Sequence, residues 1–297
     1  MSTTIECHDL SPRAADGLLA AVHAAARAGG GTGLLLNLER LAFVGPYGLV
    51  LLCVIGRYAR QIVSEVRLRC PASASLCQYL HRVRLTEALA PVVELEGDGW
   101  ERHGRPGNPQ TRALLELTPI AAREDVEATL ARATGRVEAI LAAELGYGEV
   151  EVSQFKNVVA ELAHNILDHS GSAGYVAAQR YIDRGGRPWV EIGVGDLGVG
   201  IRASLNERFG DRQWSHGEAI RQSLQRDVSR GEGRGLGLYI VNRICREFDG
   251  SLHIRSGDTR MYLRRQRVRD VASGPFPGTQ ISISLGQRQP GEVDRVW

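Results

Sequence analysis

Glu161-Leu-Ala-His-Asn165-Ile-Leu-Asp168-His169, Asp196-Leu-Gly198-Val-Gly200 and Gly231-Glu-Gly233-Arg-Gly235-Leu-Gly237-Leu stand in that order in the second half of a 297-residue chain. Each is weak alone; the settings make the set specific. The first lies on an expected helix over residues 152–168, with Phe155, Val159, Leu162 and Ile166 as its apolar stripe. Glu161, Asn165 and Asp168 follow at i, i+4 and i+7, on the opposite face. The second motif closes the strand-like run Val190-Glu-Ile-Gly-Val, and the third abuts an apolar helix over 236–248.

These residue types suit a magnesium nucleotide. Mg²⁺ takes few protein oxygens and keeps waters and phosphates, so Asn165 alone can serve as its protein ligand. Glu161, one turn earlier, can orient or deprotonate a water or hydroxyl that attacks a γ-phosphate. Asp196 at a strand end can accept from the exocyclic amine of adenine, and Gly198 and Gly200 let the backbone approach the base. Glycines at 231, 233, 235 and 237 can aim N–H groups at phosphates, where a helix N-terminus adds its dipole and Arg234 a cation. Thr279, after Gly278 and before the last strand, can hydrogen-bond the base or its water. Blander readings stand beside these: a solvated helix face, an Asp-x-Gly turn, a glycine hinge and a turn threonine. The glycine loop is neither a Walker A loop, since no Gly-Lys-Ser/Thr follows, nor a dinucleotide fingerprint.

Outward from the motifs, strands are expected at 114–117, 175–181, 189–194, 252–255, 261–268 and 280–285, and a long helix at 124–145. The polar segment 202–230 reads as helix and loop. Residues 97–110, with four glycines and two prolines, read as a linker. Before it, a helix from Ser11-Pro12 to about residue 27, a strand at 33–38, a helix at 46–63, a strand at 65–70, a helix at 71–83 and a strand at 92–95 alternate as a small α/β unit. The expected organisation is thus residues 1–99, a linker at 100–110, and 111–297.

Apolar content of 43% and charged content of 24% are ordinary for a folded chain, and a net charge of +2 argues for neither nucleic acid nor membrane. Five scattered cysteines without a CxxC pair support neither a disulfide framework nor zinc. No signal pattern opens the chain and no apolar run reaches the ~20 residues of a membrane helix. A cytoplasmic protein is expected.

The three motifs resemble the N, G1 and G2 boxes of the GHKL ATPase superfamily, which includes gyrase, Hsp90, histidine kinases and MutL. The resemblance implies an α/β sandwich, a mixed sheet with helices on one face (the Bergerat fold), over roughly residues 114–285. It implies ATP and Mg²⁺ as cofactors, Asn165 as the metal ligand and Glu161 as the catalytic carboxylate. Asp168, Asp196, Gly198, Gly200, Gly231, Gly233, Arg234, Gly235, Leu236, Gly237 and Thr279 would bind the nucleotide, with 202–230 as the ATP lid.

The stretch Leu34-Leu-Leu-Asn-Leu-Glu-Arg-Leu-Ala-Phe-Val-Gly-Pro-Tyr-Gly-Leu49 is similar to STAS domains, the fold of anti-anti-sigma factors. That family has an Asp-Ser-Ser-Gly-like turn whose serine is phosphorylated by a GHKL anti-sigma kinase. Here Gly45-Pro46-Tyr47 occupies the turn and only Gly48 is retained. The pairing implies a bacterial regulatory ATP-binding protein of the anti-sigma serine/threonine kinase type, acting in signal transduction on a sigma factor or STAS-type partner, with homodimerisation left open. An ATP-gated switch or slow ATPase is the alternative, and a histidine kinase ranks behind both.

Overall fold

The structure is a computed structural model that describes residues 2–27, 33–102, 113–133, 136–170, 173–210, 212–226, 228, 237–265 and 267–286. The first part alternates strand and helix: β1 (Ser2–Glu6), α1 (Ala15–Arg27), β2 (Gly33–Asn37), α2 (Pro46–Arg60), β3 (Glu65–Arg69), α3 (Ala74–Arg82), α4 (Leu85–Leu89), β4 (Glu94–Glu96) and α5 (Gly99–Arg102). The strands pair in parallel in chain order, β1-β2-β3-β4. Stepping always the same way with right-handed crossovers puts the helices on one face. That face carries Ile5, Leu34, Leu36, Val66 and Leu68, which share a core with Leu19, Val22, Leu51, Leu80 and Trp100. The other face is polar, with Arg67 donating to Glu96 at 2.9 Å and Asn37 to Glu6 at 3.0 Å.

Two helix starts lie later than expected. Ser11 begins a turn, its carbonyl accepting from Ala14 and Ala15, and α1 follows it. Ser73, not Pro71, caps α3, its hydroxyl accepting from the Leu76 N–H at 3.3 Å. The short edge strand β1 has no sequence period and was not expected.

The second part comprises β5 (Ala113–Ile120), α6 (Arg123–Ala133), α7 (Arg136–Leu145), α8 (Glu149–Asn165), a π-helical turn (Ile166–Ser170), β6 (Gly174–Ile182), β7 (Pro188–Asp196), α9 (Gly200–Phe209), α10 (His216–Ser223), α11 (Gly237–Glu247), β8 (Ser251–Arg264) and β9 (Arg267–Leu285). The sheet order is β5-β6-β7-β9-β8. The expected mixed sheet is antiparallel at all four described pairings, because two hairpins, β6–β7 and β8–β9, supply four of its strands. The strands expected at 252–255, 261–268 and 280–285 are instead two long arms of one hairpin, with register shifts around Gly257. The helix expected at 124–145 is described as α6 and α7, and residues 134–135 between them lie outside the described residues. One sheet face, with Val176, Val190, Ile192, Val194, Ile281 and Ile283, packs on Phe155, Val159, Leu162 and Val241 of α8 and α11.

The opposite sheet face is also buried, by α2. The sequence of α2 is apolar all round, and 13 of its 15 residues are buried, as befits a helix between two layers. Val50 and Val54 lie over Gly195, and the Pro46–Tyr47 peptide lies on Gly193. The chain is therefore layered as parallel sheet, helices, antiparallel sheet, helices.

Polar groups fix this seam. Arg255 of β8 is fully buried and reaches Asp16 of α1 at 3.4 Å, the Gln280 side chain at 3.4 Å and the Gly274 carbonyl. Arg260 pairs with the same Asp16 at 2.7 Å. Arg255, the first arginine of the arginine-rich stretch 255–269, thus ties α1 to the β8–β9 hairpin. The helix N-cap of α2, Gly45, has no side-chain cap of its own. Glu191 of β7 supplies one: a Cβ on Gly45 would lie 2.8 Å from its Oε2, and its carboxylate accepts from the Tyr47 N–H and the Ser282 hydroxyl.

Burial raises the Glu191 carboxyl to about 7, against the partial relief of those hydrogen bonds. A raised carboxyl binds its proton more tightly folded than unfolded. Its contribution is full below the ordinary glutamate range and is lost as pH rises through about 7. Over that window wild type should lose up to about 3 kcal/mol that Glu191→Gln retains. Urea midpoints of both proteins at pH 4.5, 6 and 8 check this; parallel pH profiles would refute it.

Candidate functional site

The first motif sits at the C-terminal end of α8, whose apolar stripe anchors it to the sheet and turns Glu161 and Asn165 the other way. The third motif reaches them from across the fold. Gly237, the first residue of α11, packs on this helix so closely that a Cβ there would lie 3.1 Å from Glu161 Oε2 and 3.3 Å from Asn165 Nδ2. The N-terminus of α11 thus faces an amide and a carboxylate, and helix N-termini attract anions. Asn165 Nδ2 is buried and has no hydrogen-bond partner among the described residues. An orphaned buried amide costs about 1–3 kcal/mol, so this side chain is set for a group that the described residues do not supply.

Asp196 ends β7 with 7% exposure. Its Oδ1 accepts from the Gly198 N–H at 2.7 Å, and its carboxylate also accepts from the Thr279 N–H. Burial outweighs these bonds and raises the carboxyl to about 6. Gly278 holds the two strands together here: its φ is +76°, and a Cβ would lie 2.0 Å from the Asp196 carbonyl oxygen. Only glycine meets both conditions. The Gln280 amide donates to the same carbonyl at 3.1 Å.

Asn165, Asp196, Gly200 and Thr279 line one pocket, with Leu162, Ile166, Val194, Ile201, Leu205, Leu238 and Ile281 as its apolar walls. An apolar slot with one buried carboxylate at its floor can take a flat heteroaromatic ring bearing an amino group. Gly200 opens α9 with φ +77°, and the Ser256 hydroxyl accepts the Ile201 N–H at 3.0 Å. Ser204 and Ser223 line the pocket and were missed by sequence reasoning, and Ser256 supports it by bonding the Ile201 N–H and the Gly278 carbonyl. Serine in a strand or helix gives no periodic signal, and Ser256 stands where β8 shifts register. Glu161, Asp168, Gly198 and Gly237 are not among the pocket-lining residues; at Asp168 the π-helical turn also breaks the i+7 spacing. Gly231, Gly233, Arg234, Gly235 and Leu236 lie outside the described residues.

Residues 150–289 match the family model described as histidine kinase-, DNA gyrase B-, and HSP90-like ATPase. This part of the chain is a GHKL-type ATPase domain. Such domains bind ATP, usually with Mg²⁺. The pocket, the orphaned Asn165 amide and the α11 N-terminus all fall within the matched stretch. Comparison with curated proteins finds no match. Among the described residues no helix is long and apolar enough to cross a membrane.

Proposed function

We propose that the chain is a Mg-ATP-dependent regulatory protein of the anti-sigma kinase type, which passes the γ-phosphate of ATP to a serine or threonine of a separate protein. The observation that carries this reading is the close approach of Gly237 to Glu161 and Asn165, the last of which lines the same pocket as the buried Asp196. Asp196 and Thr279 bind adenine, which sets the triphosphate toward α11. Asn165 would hold the magnesium ion through its amide oxygen, and the bound ion supplies charge neutralisation at the phosphates. Glu161 orients the acceptor hydroxyl and takes its proton as the oxygen bonds to the γ-phosphorus. The bond to the β–γ bridging oxygen breaks and ADP leaves. The matching chemistry with water would be hydrolysis.

The acceptor is read as lying in another protein because of the N-terminal unit. Its parallel strands in chain order, with helices on one face, support the STAS likeness. In it, Pro46 and Tyr47 at the turn that would carry the acceptor are buried against β7. A sigma factor or a STAS-type protein is the expected partner, and the N-terminal unit acts in cis as a wall of the ATPase domain.

The test follows the label of γ-labelled ATP with Mg²⁺, the full chain and candidate partners. Label should move to a partner serine or threonine. Glu161→Gln should cut transfer about 100-fold or more while binding ATP within a few-fold of wild type, and Asn165→Ala should abolish it. Transfer that survives both substitutions refutes the site. Tight ATP binding without transfer to any protein replaces the kinase with an ATP-gated switch.

A further inference from the structure

A second cleft, of about 210 Å³, opens at the seam between the two sheets and is lined by Arg57, Arg60, Gln61, Val92, Ala173 and Leu197. It is separate from the nucleotide pocket. Asp196 lines that pocket, whereas the side chain of its neighbour Leu197 packs with the N-terminal core on the other side of the sheet. Three of its lining residues come from the last turn and C-cap of α2, two of them arginines one turn apart, and no carboxylate is among the lining residues.

Cations in a last helical turn offset the helix dipole, which accounts for the charge of this turn. It does not account for the state of Arg57. Its guanidinium lies 5.6 Å from the centroid of the Tyr175 ring and hydrogen-bonds the Tyr175 side chain, yet its Nε is buried without a hydrogen-bond partner among the described residues. A buried donor without an acceptor costs about 1–3 kcal/mol, more when charged. Arg60 is exposed, and its Nη1 donates to the Val63 carbonyl at 3.2 Å. A planar fork with a free buried donor, a second cation one turn away and an adjoining open volume together match an oxyanion, which guanidinium groups grip through paired charge-assisted hydrogen bonds. Val92, Ala173 and Leu197 give the cleft an apolar wall suited to a short aliphatic portion of the same ligand.

We infer that this cleft is a binding site for a small oxyanion, a phosphate or carboxylate borne on a small molecule, held by Arg57 and Arg60 and distinct from the nucleotide pocket. The inference does not depend on the kinase reading. Calorimetric titration of the full chain with inorganic phosphate, and separately with succinate, at constant ionic strength in chloride tests it. At least one probe should bind saturably in the millimolar range or tighter, and which one binds tells whether phosphate or carboxylate is recognised. Arg57→Gln and Arg60→Gln should each weaken that binding about 10-fold or more, the loss of one charged hydrogen-bonding group. Arg60 is exposed, so Arg60→Gln keeps the test decisive if Arg57→Gln fails to fold. Absence of saturable binding for both probes overturns the inference. So does binding that Arg60→Gln leaves unchanged, since the anion would then sit elsewhere, for example at the N-terminus of α11.

Discussion

Asp196→Asn should weaken ATP binding about 100-fold or more and, without nucleotide, raise stability at neutral pH. The two effects share a cause. The carboxyl is raised to about 6 because burial disfavours its charge more than the Gly198 and Thr279 N–H groups favour it. The ordinary aspartate value is near 3.9. Folding therefore favours the proton, and that contribution is lost as pH rises through about 6. At pH 7 wild type has lost about 3 kcal/mol, which a neutral amide does not lose. Against this stands about 1 kcal/mol for an N–H donor that the amide NH₂ cannot accept. The net gain is about 2 kcal/mol of unfolding free energy.

Nucleotide affinity runs the other way. The adenine amine needs an acceptor, and an Asn NH₂ pointing into the slot presents a donor to a donor. A charged acceptor is worth about 1.5–3 kcal/mol, and donor opposition adds to the loss. Wild-type affinity should also fall as pH drops below about 6, since the carboxyl must release its proton to accept fully, whereas the variant should be flat there. Calorimetric ATP titrations at pH 5, 6 and 7.5, with urea unfolding of the apo proteins, read both halves. An Asp196→Asn chain that binds ATP like wild type removes the base-reading role from this residue.

Four of the expected site residues, Asn165, Asp196, Gly200 and Thr279, line one pocket. An amphipathic stripe at 155–166 placed Glu161 and Asn165 on the free face of a helix, and the run before Asp196 placed a carboxylate at a strand end. What brings those two to Gly237 is tertiary, and no local period contains it. Other features were hidden for identifiable reasons. The i+7 position of Asp168 holds only while the helix stays α, and the turn at 166–170 is π-helical. The β8–β9 hairpin reads as three strands because glycines and prolines at 257, 274, 275 and 277 interrupt its alternation, and the shifts near Gly257 absorb them. Alternation also misleads in β7. Glu191, Gly193 and Gly195 look like a solvent face, since a period of two states which residues share a face and not what covers it. The clue lay elsewhere, in the all-round apolar composition of 48–56, which requires burial on both sides.

That covering is what Gly193→Ala probes, and the expected result is a loss of about 3 kcal/mol or more. A Cβ at this position would lie 2.5 Å from Pro46 C, 2.5 Å from Tyr47 N and 2.6 Å from Pro46 O. All three are backbone atoms, so no rotamer change relieves the overlap. Gly193 pairs with Ala177 on one side and Ser282 on the other, so β7 is hydrogen-bonded along both edges and cannot bow away locally. The other side of the contact is equally fixed. Pro46 opens α2 as its first residue, and Glu191, two residues before Gly193 on the same strand face, holds the Tyr47 N–H. The methyl must therefore move a whole helix off a whole sheet, which is the costly end of overpacking. Gly17→Ala is the matched control. It adds the same methyl to α1 with nothing within 4 Å, and should stabilise by up to about 1 kcal/mol through helix propensity. If denaturant unfolding finds Gly193→Ala as stable as wild type, α2 does not rest on β7 in solution. The N-terminal unit would then be free to meet a partner in trans.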